Sequence, residues 1–112
     1  IIENPSRDSK VMNQEPFGPV SVMIPFESFE DAVNEANRLP YGLAAYAYTK
    51  SARTANLIGG AIESGMVSIN HYGLALPETP FGGVKDSGYG SEGGSEAIEA
   101  YLNHKFISQA GL

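Results

Sequence analysis

Between residues 20 and 70 the apolar positions fall into three short runs, separated by two stretches in which they recur with the spacing of a helix. The first run, Val20-Ser-Val-Met-Ile-Pro-Phe26, is β-rich and predicts a buried strand that stops near Pro25, since proline cannot donate to a ladder. Ser28 then stands three residues before Asp31, the arrangement of a capping box. Phe29, Ala32, Val33 and Ala36 follow at i, i+3, i+4 and i+7. A helix is expected there, ending before Pro40 because the residue ahead of a proline avoids the helical region. The second run, Leu43-Ala-Ala-Tyr-Ala-Tyr-Thr49, is apolar without strict alternation and predicts a fully buried strand. Thr49 or Ser51 can cap a second helix whose Ala55, Ile58 and Ile62 share one face. Gly59-Gly60 costs that helix about 1 kcal/mol per glycine relative to alanine, which predicts close packing against a neighbour. Gly65 is placed to stop it, and Met66-Val-Ser-Ile-Asn70 is the third strand. The order β-α-β-α-β argues for an α/β fold with a mostly parallel sheet and right-handed crossovers.

The flanks are less regular. Ile1-Ile2 reads as a strand end, the stretch from Asn4 to Ser9 as a polar loop, and Val11-Met12 leads into Gln14-Glu15-Pro16-Phe17-Gly18-Pro19. Two prolines and a glycine forbid regular structure there and hold one carboxylate and one ring in fixed relation. After Asn70 runs a long loop from His71 to Gly94, longer than a mere connection requires and therefore expected to be functional. Its second half, Pro80–Gly94, holds six of the chain's thirteen glycines. Phe81, Val84, Lys85 and Tyr89 stand among them, so this is a shaped loop whose backbone something approaches closely, not a flexible linker. Gly88-x-Gly90-x-x-Gly93 has the spacing of a dinucleotide fingerprint, but no strand precedes it and no acidic residue follows at the required distance. A stand-alone nucleotide-binding module is accordingly the weakest functional reading. Ser95–Leu102 is expected as a short helix and Lys105–Gln109 as a terminal strand without a partner in the chain, a candidate for pairing with another subunit.

Composition narrows the classes. The 112 residues suffice for one domain with one core, and no apolar run approaches the length of a membrane span. Thirteen acids against seven scattered bases give a formal net charge of −6, which repels a phosphate backbone; neither nucleic acid nor membrane is an expected partner, and a cytoplasmic location is expected. The absence of cysteine excludes disulfides, thiolate metal sites and a cysteine nucleophile carried by this chain. His71 and His104 are far apart in sequence, and no metal site is expected. A chain that opens on Ile1 and not Met is expected to be part of something longer.

Four stretches stand in order: Glu15-Pro-Phe-Gly-Pro19, Tyr41-Gly-Leu-Ala-Ala45, Val67-Ser-Ile-Asn70 and Pro80-Phe-Gly-Gly-Val-Lys-Asp-Ser-Gly-Tyr-Gly-Ser-Glu92. Together they resemble the C-terminal part of the NAD(P)-dependent aldehyde dehydrogenase superfamily over essentially the whole chain. The resemblance implies that Glu15 bonds the hydroxyls of the nicotinamide-side ribose of NAD or NADP and that Phe17 packs beside it. A carboxylate accepts from two neighbouring hydroxyls, and a proline-braced backbone keeps it placed. It further implies that Phe81 lines the substrate tunnel. Ala75 occupies a position where some relatives carry a second aromatic, so a small or polar aldehyde, a carboxylated semialdehyde among them, is at least as compatible as one that needs an aromatic-lined pocket. Ser91 replaces an arginine usual in the family. The family's cysteine nucleophile and glutamate base belong to a segment outside this chain, so the 112 residues alone are expected to be inactive. Residues 1–103 would then be the catalytic-domain part and 104–112 an oligomerisation strand through which homo-oligomers form. A non-catalytic association module of the same fold is the alternative.

Overall fold

The computed structural model describes residues 1–111; Leu112, at the end of the expected oligomerisation strand, lies outside the described residues. The chain gathers into two compact units, Ile1–Pro40 and the residues from Tyr41 onward, instead of around one core. Met12 and Met66, one in each, are the buried hydrophobic side chains among the described residues.

In the first unit, β1 (Ile2–Glu3) pairs in parallel with β2 (Val22–Met23), with Ile2 opposite Val22. The strand expected from Val20 to Phe26 is thus two residues long, and it is not buried: Val22 is half-covered and Met23 exposed. Pro19 and Pro25 flank it and deny it ladder donors at both ends. Between β1 and β2 lies a short helix that the hydrophobic pattern did not signal, α1 (Lys10–Asn13). Polar side chains build it: Asn13 Nδ2 donates to the carbonyls of Arg7 (2.6 Å) and Ser9 (2.9 Å), and Ser9 Oγ to that of Ser6. α2 (Phe29–Ala36) follows where the periodicity puts it. Its capping box is complete, with the Asp31 N–H donating to Ser28 Oγ at 3.0 Å and the Ser28 N–H to Asp31 Oδ2 at 3.2 Å. Such a cap contributes about 1 kcal/mol.

The second unit contains β3 (Tyr41–Gly42), β4 (Ala44–Ala47), α3 (Ala52–Ala61), β5 (Met66–Ile69), β6 (Val84–Lys85) and a 3₁₀ helix over Ser95–Tyr101. β4, α3 and β5 form a β-α-β crossover whose strands run parallel, in register from Ala44 opposite Met66 to Ala47 opposite Ile69. β3 and β6 pair antiparallel. The architecture is therefore α/β with mostly parallel pairing, two pairs of three, but the pairs form separate two-stranded sheets among the described residues.

Four local expectations need correction. β4 is not fully buried: Ala45 and Ala47 are half-covered while Tyr46 is exposed, because side chains alternate across a strand and only one face is covered. Gly59 and Gly60 lie in the last turn of α3 without close packing: a methyl group at Gly60 would meet nothing, and at Gly59 only the Ile69 Cδ1 at 4.0 Å. Gly65 does not end the helix, which stops at Ala61 with Ile62 already extended. It is small because the backbone of Gly82 and Gly83 lies against it. The close approach that the glycine loop was expected to permit is made by this chain's own backbone. Residues 102–110 form no strand among the described residues, and their Phe106 and Ile107 are exposed. No described helix is long and apolar enough to cross a membrane.

Candidate active site

Glu15 and Phe17 sit in the first unit on the segment that leaves α1 for β2. The root of this segment is bracketed by Arg38, whose Nη1 donates to Asn13 Oδ1 (2.8 Å), Nη2 to the Met12 carbonyl (2.7 Å) and Nε to Glu35 Oε1 (3.0 Å). Glu35 also holds Arg7 at 2.6 Å, so one carboxylate ties both arginines to α2. The Gln14 N–H closes onto the Lys10 carbonyl at 2.8 Å, and from there the chain runs irregularly through Pro16, Gly18 and Pro19. A planar guanidinium with several donors in fixed directions suits this bracket better than a flexible lysine. Beyond it, Glu15 makes no hydrogen bond or ion pair within the described residues, and Phe17 is 95% exposed. A braced loop thus presents an unengaged carboxylate and a bare aromatic ring.

Phe81 and Ala75 belong to the second unit. Phe81 is fixed by a two-way bridge to Glu92, each N–H donating to the other's carbonyl at 2.6 and 2.7 Å. It lines an open cleft of about 630 Å³, together with Leu43, Tyr89, Glu92, Tyr101 and a wall of glycines. Ala75 does not line that cleft; it is exposed on the preceding loop. Ser91, which replaces the family's arginine, also lines the cleft. Gly88, Gly90 and Gly93 have φ of 139°, 73° and 66°, values that favour glycine, so they serve the turns of this loop. They lead into a 3₁₀ helix and not an α-helix, which is not the setting of a phosphate-binding turn.

The two histidines have local roles. His71 Nδ1 accepts the Gly73 N–H at 3.0 Å, and His104 Nε2 lies 3.2 Å from Glu99 Oε2. No three His, Asp or Glu side chains gather to hold a metal among the described residues.

One cluster was missed from the sequence. Tyr46 and Tyr48, two apart and hence on one face of the extended chain, meet Tyr72 at ring-centroid distances of 5.9 and 5.6 Å. Their spacing of two was the available signal, but Tyr72 arrives from a loop and no periodicity could place it. Loss of water around the Tyr48 hydroxyl, then its hydrogen bond to Tyr72 and the neighbouring phenols, push its pKa up to about 12, although 56% of the residue stays exposed. The folded form thus favours neutral Tyr48, and what this adds to stability is present below pH about 10 and lost as pH rises towards 12. Ultraviolet titration of tyrosinate should show one late phase, and Tyr72→Phe should move it back towards the ordinary value; an unchanged profile would separate Tyr48 from Tyr72.

The aldehyde dehydrogenase family matches residues 1–107. The chain is 50% identical over 100 residues to 4-(hydroxymethyl)benzenesulfonate dehydrogenase TsaD1 of Comamonas testosteroni, covering 89% of this chain and 21% of that protein. To the mitochondrial succinate-semialdehyde dehydrogenase of Oryza sativa subsp. japonica it is 39% identical over 112 residues, covering 100% of this chain and 21% of that protein. The NAD+ complex of an aldehyde dehydrogenase from Bacillus cereus superposes with a TM-score of 0.84 at 39% identity, covering 88% of this chain and 20% of that one. The chain thus spans about a fifth of the length of the curated relatives it matches. On sequence and fold together, the chain belongs to the aldehyde dehydrogenase family, of which it represents a partial domain.

Proposed function

We propose that this chain supplies the ribose clamp and part of the substrate entrance of an NAD(P)-dependent enzyme that oxidises an aldehyde to a carboxylic acid. The observation that carries the reading is the braced segment after α1, where Glu15 is unengaged and Phe17 bare while their root is held by Arg38. A carboxylate with no internal partner is ready to accept from two vicinal hydroxyls, and an exposed ring is an apolar surface waiting for cover. NAD or NADP fits these two residues: its nicotinamide-side ribose offers the hydroxyls to Glu15 and its flat ring an apolar face to Phe17. When bound, the cofactor takes the hydride that leaves the substrate carbon. This chain's residues bind and orient; they move no proton.

Phe81 walls the tunnel towards the reacting centre; Ala75 lies outside the Phe81 cleft and, small and exposed on the preceding loop, adds no aromatic wall, which suits a small or carboxylated semialdehyde. The nucleophile is a cysteine thiolate outside this chain, attacking the aldehyde carbon before hydride leaves and water releases the acid. Residues 104–112 are the segment through which copies associate, one that would take up strand pairing only against a second copy, and the bare Phe106 and Ile107 support that assignment.

Two measurements test this. The purified 112-residue chain, incubated with NAD or NADP and succinate semialdehyde, should give no nicotinamide absorbance above a blank; turnover would defeat the proposal. A chimera in which the rice succinate-semialdehyde dehydrogenase has its matching fifth exchanged for this chain should oxidise the aldehyde.

A further inference from the structure

The stretch Val67-Ser-Ile-Asn70 has no role in the reading above, and its last residue makes an unusual set of contacts. Asn70 follows β5 with φ of +63°, in the left-handed region that asparagine enters more readily than other side-chain-bearing residues. Its N–H still donates to the Ala47 carbonyl at 2.8 Å, so the backbone leaves the ladder only after this residue. The side chain then replaces the missing rung. Asn70 Oδ1 accepts the Thr49 N–H at 2.8 Å, and Nδ2 donates to the Thr49 carbonyl at 3.0 Å. A primary amide presents its carbonyl oxygen and one of its two N–H bonds side by side, as the C=O and N–H of a single residue do in an extended strand. The register of β4 and β5 is thereby carried past Ala47 and Ile69 while the main chain is free to turn.

The next three residues are tied down as well. Ser68, only 1% exposed, donates to the His71 carbonyl at 2.5 Å. The Gly73 N–H meets His71 Nδ1, and the Tyr72 ring leans on Tyr46 and Tyr48. Positions 70–73 therefore form a rigid post on the β4–β5 pair, and from it springs the loop carrying Ala75. We propose that Asn70 is a positioning residue that aims this loop, and with it the aldehyde entrance, through its two-point clamp on Thr49. The inference rests on the reading of the loop as an entrance wall and adds the residue that sets its direction.

Three variants separate the clamp from the backbone turn. Asn70→Gly keeps the left-handed conformation and removes the amide. Asn70→Asp keeps the acceptor for the Thr49 N–H but cannot donate to its carbonyl. Asn70→Ala loses the clamp and strains the turn. In the 112-residue chain, amide hydrogen exchange at Thr49 should speed up about tenfold in Asn70→Gly and less in Asn70→Asp. In the chimera, Asn70→Gly should raise KM for succinate semialdehyde about fivefold, with kcat and KM for NAD within about twofold, and Asn70→Asp should restore part of the loss. An unchanged aldehyde KM alongside lost Thr49 protection overturns the proposal, since the clamp would then hold the sheet without aiming the loop. Unchanged Thr49 protection overturns it as well. If the parent chimera itself fails to oxidise aldehydes, the entrance reading falls. In the 112-residue chain, faster exchange at the Leu74 N–H, which donates to the Tyr72 carbonyl at 3.1 Å within the loop, would in Asn70→Gly still support Asn70 as the post for the loop, and unaltered exchange there would refute it.

Discussion

Gly65→Ala should destabilise the second unit by about 3 kcal/mol, at the upper end of what overpacking costs. A methyl group at Gly65 would run into the Gly82 carbonyl oxygen, with the Gly82 carbonyl carbon at 2.9 Å and the Gly83 Cα at 3.0 Å. All three are backbone atoms, so no side chain can swing aside. Relief would require Gly82 and Gly83 to retreat, yet these residues lie between the Phe81–Glu92 bridge and the β3–β6 pair. The Gly42 N–H adds a tie, donating to Ser87 Oγ at 2.9 Å. Gly60→Ala is the matching control. Nothing lies within 4 Å of the added methyl, and alanine is the better helix former, so α3 should gain up to about 1 kcal/mol. Denaturant unfolding followed by circular dichroism reads both, and equal midpoints for the two variants would refute the close-contact account.

Glu15→Ala in the chimera should raise KM for NAD between about tenfold and a hundredfold, because hydrogen bonds to a charged group contribute about 1.5–3 kcal/mol and each 1.4 kcal/mol is a factor of ten. Glu15→Gln, which keeps one carbonyl acceptor but loses the charge, should fall between the wild type and alanine. The aldehyde KM should hardly move. Nor should the unfolding midpoint, since Glu15 has no partner within the described residues whose loss would cost stability. This pattern, a cofactor effect without a stability effect, distinguishes a binding residue from a structural one. A lowered midpoint with unchanged NAD affinity would assign Glu15 to the fold.

What could be read from the sequence was whatever is decided within a few residues. The capping box of Ser28 and Asp31 and the periodicity of Phe29, Ala32, Val33 and Ala36 fixed α2, and the spacing of strands and helices gave the β-α-β crossover of β4, α3 and β5. Contacts between distant residues could not be read this way. The glycines near residue 82 announced a close approach, but that Gly65 was the approaching partner depends on how β5 and the loop are laid together. Likewise, Val20 to Phe26 is apolar enough for a buried strand, yet burial needs a covering layer, which a local hydrophobic pattern cannot supply. α1 escaped notice because side chain to backbone bonds of Asn13 and Ser9 hold it together, and such bonds leave no hydrophobic period. At the candidate site, Glu15, Phe17 and Phe81 are singled out by their motifs alone, whereas the clamp of Asn70 on Thr49 crosses from the end of one strand to the end of another.

The role given to Glu15 can be tested most directly by a crystal structure of the chimera with NAD bound. The account predicts both oxygens of the Glu15 carboxylate, or one of them shared, at about 2.7 Å from the hydroxyls of the ribose next to the nicotinamide, with the Phe17 ring against that sugar. A fully occupied cofactor whose ribose is held by other residues, with Glu15 still facing water, would contradict it.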